Sequence, residues 1–346
     1  VAFVEGDRQT PSDEKNTITP QTGKKWGWLT VRVGVSLLLL SLLFLKIKPA
    51  RVTQFLGGAD RFLVLGCLCA YILLYLLLAF RWQLLLNVLS LKFPLRQLYG
   101  TYLIGVFFNN FLPTAIGGDM VRGLDLYRHT KKAKEVVITV LLERLLGFTS
   151  MLIIAAVALV MLYPSFHDPW VTWVILGSTL LYVTILVLLL SPALFVLVSR
   201  VLRALNYHQI GTRLLEFPHT IALYTASPLP LLQTILLSLI IQTFTILIYF
   251  ELTRALHLTI PLVDLFLFVP IISIIAMIPI SLGGLGLREG ISIYLFQKVG
   301  VDLAHAMGLS LAWYLILIGT GALGGAVFAL RGFKRRPPSS PEPSRL

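Results

Sequence analysis

Pro113, Gly117, Gly118 and Arg122 recur in spacing 166 residues later as Pro279, Gly283, Gly284 and Arg288, both reading Pro-x-x-x-Gly-Gly-x-x-x-Arg. A glycine pair lets backbone N–H groups approach a ligand, and a helix starting beyond it offers partial positive charge to an anion. Arginines four or five residues past the glycines fall in the first turn or so of whatever follows. Such a pocket suits a phosphate. In the first string Asn109 and Asn110 set two amides in an otherwise apolar wall, where unsatisfied polar groups are costly. Asp119 reads equally well as a plain helix N-cap and as a ligand contact. In the second string Ser281 and Glu289 take the polar parts.

Glu143 and Arg144 sit in an apolar run that opens near residue 136. Roughly eight residues into a helix is about 12 Å along its axis. An ionised group near mid-membrane costs on the order of 2.5 to 3.5 kcal/mol, so both need partners. Neighbours on a helix point about 100° apart, so each should pair with a different element. Arg122 or Arg288 can serve Glu143, and Asp119 or Glu289 can serve Arg144. Gly147, on the face of Glu143, would let the partner element come close.

These residues need a membrane around them. In 346 residues, 57% are hydrophobic and 13% charged, more apolar surface than one soluble core can hide. Runs at 28–47, 62–80, 136–162, 170–190, 230–250 and 304–330 each approach or exceed the approximately 20 residues that cross a bilayer. The first is too long and leucine-rich for a signal-peptide core and reads as a retained span. Two further stretches, 98–116 and 263–285, are broken by proline and Gly-Gly and read as re-entrant or broken helices. The expected fold is an all-α polytopic membrane protein with about six full spans and two broken hairpins.

Lys and Arg collect on short cytoplasmic segments. With both termini inside and the broken segments not crossing, twenty basic residues fall inside and seven outside. The inner set includes Arg81, read as the flank of the span ending at 80, and the cluster Arg128, Lys131, Lys132 and Lys134. The loop at 163–169 has no Lys or Arg, as an outer loop should. In this topology the two broken segments enter from opposite sides. Units at 62–162 and 230–331 are therefore expected to form an inverted repeat, with 28–47 and 170–190 as additional helices. That architecture can open a midplane site to each side in turn. The membrane domain covers 24–333, and the polar tails 1–23 and 334–346 read as disordered.

Phe107 to Pro113 with Gly117 to Arg122, then Leu142 to Gly147, then Ile278 to Gly290 together resemble the transmembrane domain of lysylphosphatidylglycerol synthase/flippase proteins. The similarity runs from about 28 to 331. It implies a lipid-flippase fold that moves aminoacylated phosphatidylglycerol or other anionic or isoprenoid-linked lipids. The two-part members continue into a soluble aminoacyl-transfer domain, whereas this chain ends at Leu346 after a Pro/Ser tail, so synthase activity is not implied.

The remaining features narrow the classes. Cys67 and Cys69 point to different faces of one helix, which speaks against a mutual disulfide, and the histidines lack metal-ligand spacing, so no metal or cofactor is expected. Gly321-x-x-x-Gly325 offers a close-packing face within one protomer or between two, and residues 194–205 suit an amphipathic helix on the inner leaflet. The net charge of +13 follows the inside flanks and fits an anionic lipid surface, with no nucleic-acid partner expected. The leading expectation is a transporter of the cytoplasmic membrane that moves an anionic lipid, either an aminoacyl-phospholipid or a polyprenyl phosphate. Its rivals are an intramembrane transferase using Asp119 or Glu143 as general base, and a non-transporting partner of a separate synthase or glycosyltransferase.

Overall fold

Capping and proline placement set the helix starts. Asp60 Oδ1 accepts from the backbone N–H of Phe62 at 2.9 Å and Leu63 at 3.2 Å, and Asp168 Oδ1 caps Trp170 in the same way at 2.9 Å. Pro169 and Pro228 occupy first-turn positions where their missing N–H costs nothing. The computed structural model describes residues 49–111, 117–162, 168–191, 226–278 and 284–334, with 196, 197, 200 and 224. Within these, the helices are α1 (Pro49–Gly57), α2 (Arg61–Val88), α3 (Leu95–Phe111), α4 (Gly117–Thr130) and α5 (Ala133–Leu162). They continue as α6 (Pro169–Leu190), α7 (Pro228–Ala255), α8 (Leu262–Ala276), α9 (Leu287–Lys298) and α10 (Leu303–Lys334).

The all-helical, polytopic membrane class stands. Five described helices, α2, α5, α6, α7 and α10, are long and apolar enough to cross a bilayer. The sixth expected span, 28–47, lies outside the described residues, as do both tails and most of 194–205. Each segment expected to be broken holds one short helix, α3 or α8, and a second helix, α4 or α9, starts just beyond it. With 17 and 15 residues, α3 and α8 are about 25 and 22 Å long, short of the hydrocarbon thickness of about 30 Å.

One boundary differs from expectation with a consequence for the site. The span expected to end at 80 continues to Val88, because Trp82 and Leu84 to Leu86 prolong its apolar run. Arg81 is therefore inside a helix and buried, not on an inner flank.

Helices far apart in sequence pack in pairs: α2 lies against α7, α3 against α10, and α8 against α5, so each short helix packs on a long one distant in the chain. Glycine makes the α3–α10 contact close. A Cβ on Gly324 would lie 1.9 Å from the Leu103 carbonyl oxygen, and one on Gly321 would lie 2.2 Å from the Asn110 amide nitrogen. The glycine face expected around 321–325 thus packs within one protomer. Two apolar clusters fill the bundle, one centred on α7 to α10 and one on the second half of α2 with α3 to α5. Leu78 packs against both.

Candidate functional site

Glu143, ten residues into the thirty-residue α5 and 2% exposed, is held between two arginines. Its Oε1 accepts from Arg81 Nη2 at 3.0 Å, and its Oε2 lies 2.7 Å from Arg122 Nη1. The second contact pairs the charges but is not aligned as a hydrogen bond, which leaves Nη1 and Nε of Arg122 without a hydrogen-bond acceptor among the described residues. Arg122 Nη2 also lies 3.2 Å from Asp119 Oδ1, and Asp119 Oδ2 accepts from Arg144 Nε. The chain of contacts runs Arg81, Glu143, Arg122, Asp119, Arg144, drawing on α2, α4 and α5.

Aromatic faces hold the central guanidinium. Arg122 Cζ sits 4.3 Å from the Tyr102 ring centroid and 4.7 Å from that of Trp82. Trp82, fully buried, donates through Nε1 to Thr139 Oγ1 at 3.3 Å, which fixes its plane against α5. Arg81 reaches the other half of the molecule by donating from Nη1 to Ser238 Oγ on α7 at 2.9 Å.

The network lines a cavity of about 230 Å³ that also receives Asn109, Tyr102, Gly147, Phe148 and Met277. A neighbouring cavity of about 340 Å³ is lined by Arg81 again, with Ser238, Gln242, Tyr249 and Arg288. On its flank the first cavity shares Phe148 and Met277 with an apolar groove of about 600 Å³ between α5, α6 and the end of α8. Trp173, Leu181 and Ile278 in that groove are exposed, so it faces outward from the bundle.

Several expectations change in detail. Glu143 pairs with Arg122 as anticipated but also with Arg81, and Arg144 takes Asp119. Asp119 is not the N-cap of α4. It lies within the first turn and spends both oxygens on arginines, while the N–H of Gly118 is taken by Asn109 Oδ1 at 2.7 Å. Asn110 donates to the Leu317 carbonyl at 2.9 Å and so serves the α3–α10 contact. Gly118 admits a neighbouring helix, since its Cβ would lie 2.0 Å from the Gly105 carbonyl oxygen. Gly117 is buried beside it. Gly147 has nothing within 4 Å of a Cβ and borders open cavity, not a closely packed helix.

Among the described residues, Arg288 and Glu289 of the second string do not join the first network. Glu289, fully buried, accepts from Gly286 N at 2.6 Å and from Arg288 Nη2 at 2.5 Å, so it closes the start of α9 and neutralises its neighbour. Arg288 stacks over Tyr314 at 4.7 Å and lines the second cavity. Gly284, at φ +79°, adopts a conformation that glycine tolerates, and its Cβ would lie 2.8 Å from the Ala276 carbonyl oxygen. Pro113, Pro279, Ser281 and Gly283 lie outside the described residues. Arg81, Ser238 and Gln242 escaped sequence reasoning. Arg81 was legible by the cost argument applied to Glu143, had the span been carried through the apolar residues after it.

Outside the spans, Asp168 joins α6 to α9. It accepts from Tyr294 Oη at 2.7 Å and lies 3.0 Å from Lys298 Nζ. Burial alone would push its carboxyl up, but Tyr294, Lys298 and the N–H of Val171 outweigh it and hold Asp168 below the usual carboxylate range.

A polytopic helical membrane protein with a buried arginine–carboxylate network is thus defined by fold and site together. The chain belongs to the family described as the lysylphosphatidylglycerol synthase TM region, whose pattern matches residues 29–325. It is 25% identical over 332 residues to UPF0104 membrane protein PH1989 of Pyrococcus horikoshii, covering 89% of this chain and 97% of that one. A UPF0104 membrane protein of Methanothermobacter thermautotrophicus is likewise 25% identical over 301 residues, covering 81% of this chain and 87% of the relative. No solved structure matches.

Proposed function

We propose that this protein is a lipid transporter that moves an anionic lipid across the cytoplasmic membrane, holding the head group at Arg122 and Arg81 while the chains stay in apolar surroundings. The observation that carries this reading is the adjacency of an arginine- and carboxylate-lined cavity to an outward-facing apolar groove, the two sharing Phe148 and Met277 as wall residues. A water-soluble anion needs no such groove. An amphipathic one needs both parts at once.

Arriving at the cavity, a lipid phosphate takes Nε of Arg122, which has no acceptor among the described residues, and competes with Glu143 for Nη1. Glu143 keeps Arg81, and Arg81 carries the change to α7 through Ser238. The packing of α2 on α7, α3 on α10 and α8 on α5 supports two inverted halves that rock about the α2–α7 contact. The excess of basic residues supports placing both termini, and the cluster at 128–134, on the cytoplasmic side. All four carboxylate oxygens of Glu143 and Asp119 already face arginines, which favours a holding site over a transferase base.

The test is reconstitution with a head-group-labelled anionic phospholipid, reading transbilayer movement by quenching from outside. Arg122→Ala and Glu143→Gln are expected to reduce the protein-dependent rate at least about tenfold, a loss worth roughly 1.4 kcal/mol. Wild-type rates in both variants would reject the reading.

A further inference from the structure

The second cavity, of about 340 Å³, carries a wall of unspent hydrogen-bonding groups. Gln242 Nε2 on α7, Arg288 Nε on α9 and Arg81 Nε on α2 are buried donors with no acceptor among the described residues, and all three residues line it. Each is at most 6% exposed. An unmade hydrogen bond in such surroundings is costly, so these donors call for an acceptor. Both guanidiniums already touch a carboxylate, Arg81 at Glu143 and Arg288 at Glu289, and what they offer the cavity is a further N–H beside the neutral amide of Gln242. Acceptors line the same cavity. Ser150, Thr245 and Ser273 donate their hydroxyl protons to the carbonyls of Gly147, Ile241 and Val269, which leaves lone pairs on each hydroxyl oxygen for a ligand O–H. Trp313 completes the lining with Tyr249 and Tyr71, whose ring centroids lie 4.8 and 5.1 Å from its own.

We infer that this cavity takes the hydroxylated end of a lipid head group: the lipid is a phosphodiester whose alcohol is a cyclic polyol or sugar, with its phosphate at Arg122 and its ring in the second cavity. The inference deepens the lipid-transport reading and rests on the Arg122 cavity being a head-group site. A hydroxyl both donates and accepts, which matches N–H donors and hydroxyl oxygens set in one lining, whereas a choline methyl does neither. The C–H face of such a ring suits an aromatic wall. Space agrees, since 340 Å³ is roughly eleven times the share of about 30 Å³ that one water takes. The two cavities have Leu78, Arg81, Gly147 and Met151 in common, so a single head group can face both.

Binding of phosphatidylinositol, phosphatidylethanol and phosphatidylcholine with identical acyl chains tests this by native mass spectrometry of the full chain. The two anionic lipids carry the same single charge and differ in the hydroxyls of the alcohol. Phosphatidylinositol is expected to bind at least about tenfold tighter than phosphatidylethanol. Gln242→Leu and Thr245→Val, which remove one donor and one acceptor at similar size, should each cut that ratio about threefold or more and leave phosphatidylethanol binding unchanged. Phosphatidylinositol binding no tighter than phosphatidylethanol overturns the polyol site while leaving the head-group site standing. So does an unchanged ratio in both variants. If neither anionic lipid outcompetes phosphatidylcholine, the head-group site fails and this inference with it.

Discussion

Glu143→Gln isolates the charge of one side chain at nearly constant volume. In the wild type each carboxylate oxygen faces a different arginine, and the residue is 2% exposed, so solvent screens neither contact. Breaking a buried pair by removing one partner typically costs about 3–5 kcal/mol, because the remaining charges lose their compensation. The glutamine amide oxygen can still accept one hydrogen bond from Arg81 or Arg122, returning roughly 1 kcal/mol. The expected loss is therefore on the order of 2–4 kcal/mol. Unlike an ordinary destabilised variant, this one should be rescued by ligand, since Arg81 and Arg122 without the carboxylate between them favour an anion more than they do with it. Thermal unfolding in a zwitterionic detergent, with and without phosphatidylglycerol, reads both effects. A midpoint equal to wild type, or the same lipid-induced shift in both proteins, would refute the electrostatic reasoning.

Other consequences follow from particular contacts. Gly324→Val places a side chain against the Leu103 carbonyl and should part α3 from α10, destabilising by roughly 1–3 kcal/mol in the same unfolding assay. Trp82→Ala removes a fully buried ring, one face beneath Arg122, and should cost about 3–5 kcal/mol, with a weakened response to anionic lipid. Because the folded-state pKa of Asp168 is depressed, its contribution to stability is present above the unfolded carboxylate value and is lost as pH falls through the folded one. Asp168→Asn should therefore unfold more easily than wild type at neutral pH, and a pH series should show the two curves converging in acid. Arg331 donates to Thr101 Oγ1 at 3.0 Å and the Gln97 carbonyl at 2.9 Å, so Arg331→Ala should loosen the end of α10 and speed hydrogen exchange in the first turns of α3.

The spans were legible because leucine-rich runs of bilayer length have few alternatives, and the breaks in two segments were legible because Pro and Gly-Gly interrupt them. The pairing of Glu143 with Arg122 could be read from the cost of burying either. Long-range choices could not. Whether Arg144 took Asp119 or Glu289 depended on Glu289 being committed to the start of α9, a local bond that spacing alone does not rank. Arg81 was misplaced because a single arginine at the end of an apolar run looks like a flank, and its contacts with Glu143 on α5 and Ser238 on α7 show it facing inward. The glycines were read as ligand-facing backbone. At Gly118 the demand is instead for helix contact, which depends on Gly105 lying opposite in space.

The most direct measurement is the structure of the full chain in a phosphatidylglycerol nanodisc at a resolution that shows lipid phosphates. The account predicts a phosphate within hydrogen-bond distance of the Arg122 guanidinium, with acyl density leaving past Phe148 and Met277 into the groove between α5 and α6. A cavity filled only by water, with Glu143 and Asp119 still closed on Arg122 and ordered lipid confined to the outer faces of the bundle, would contradict it.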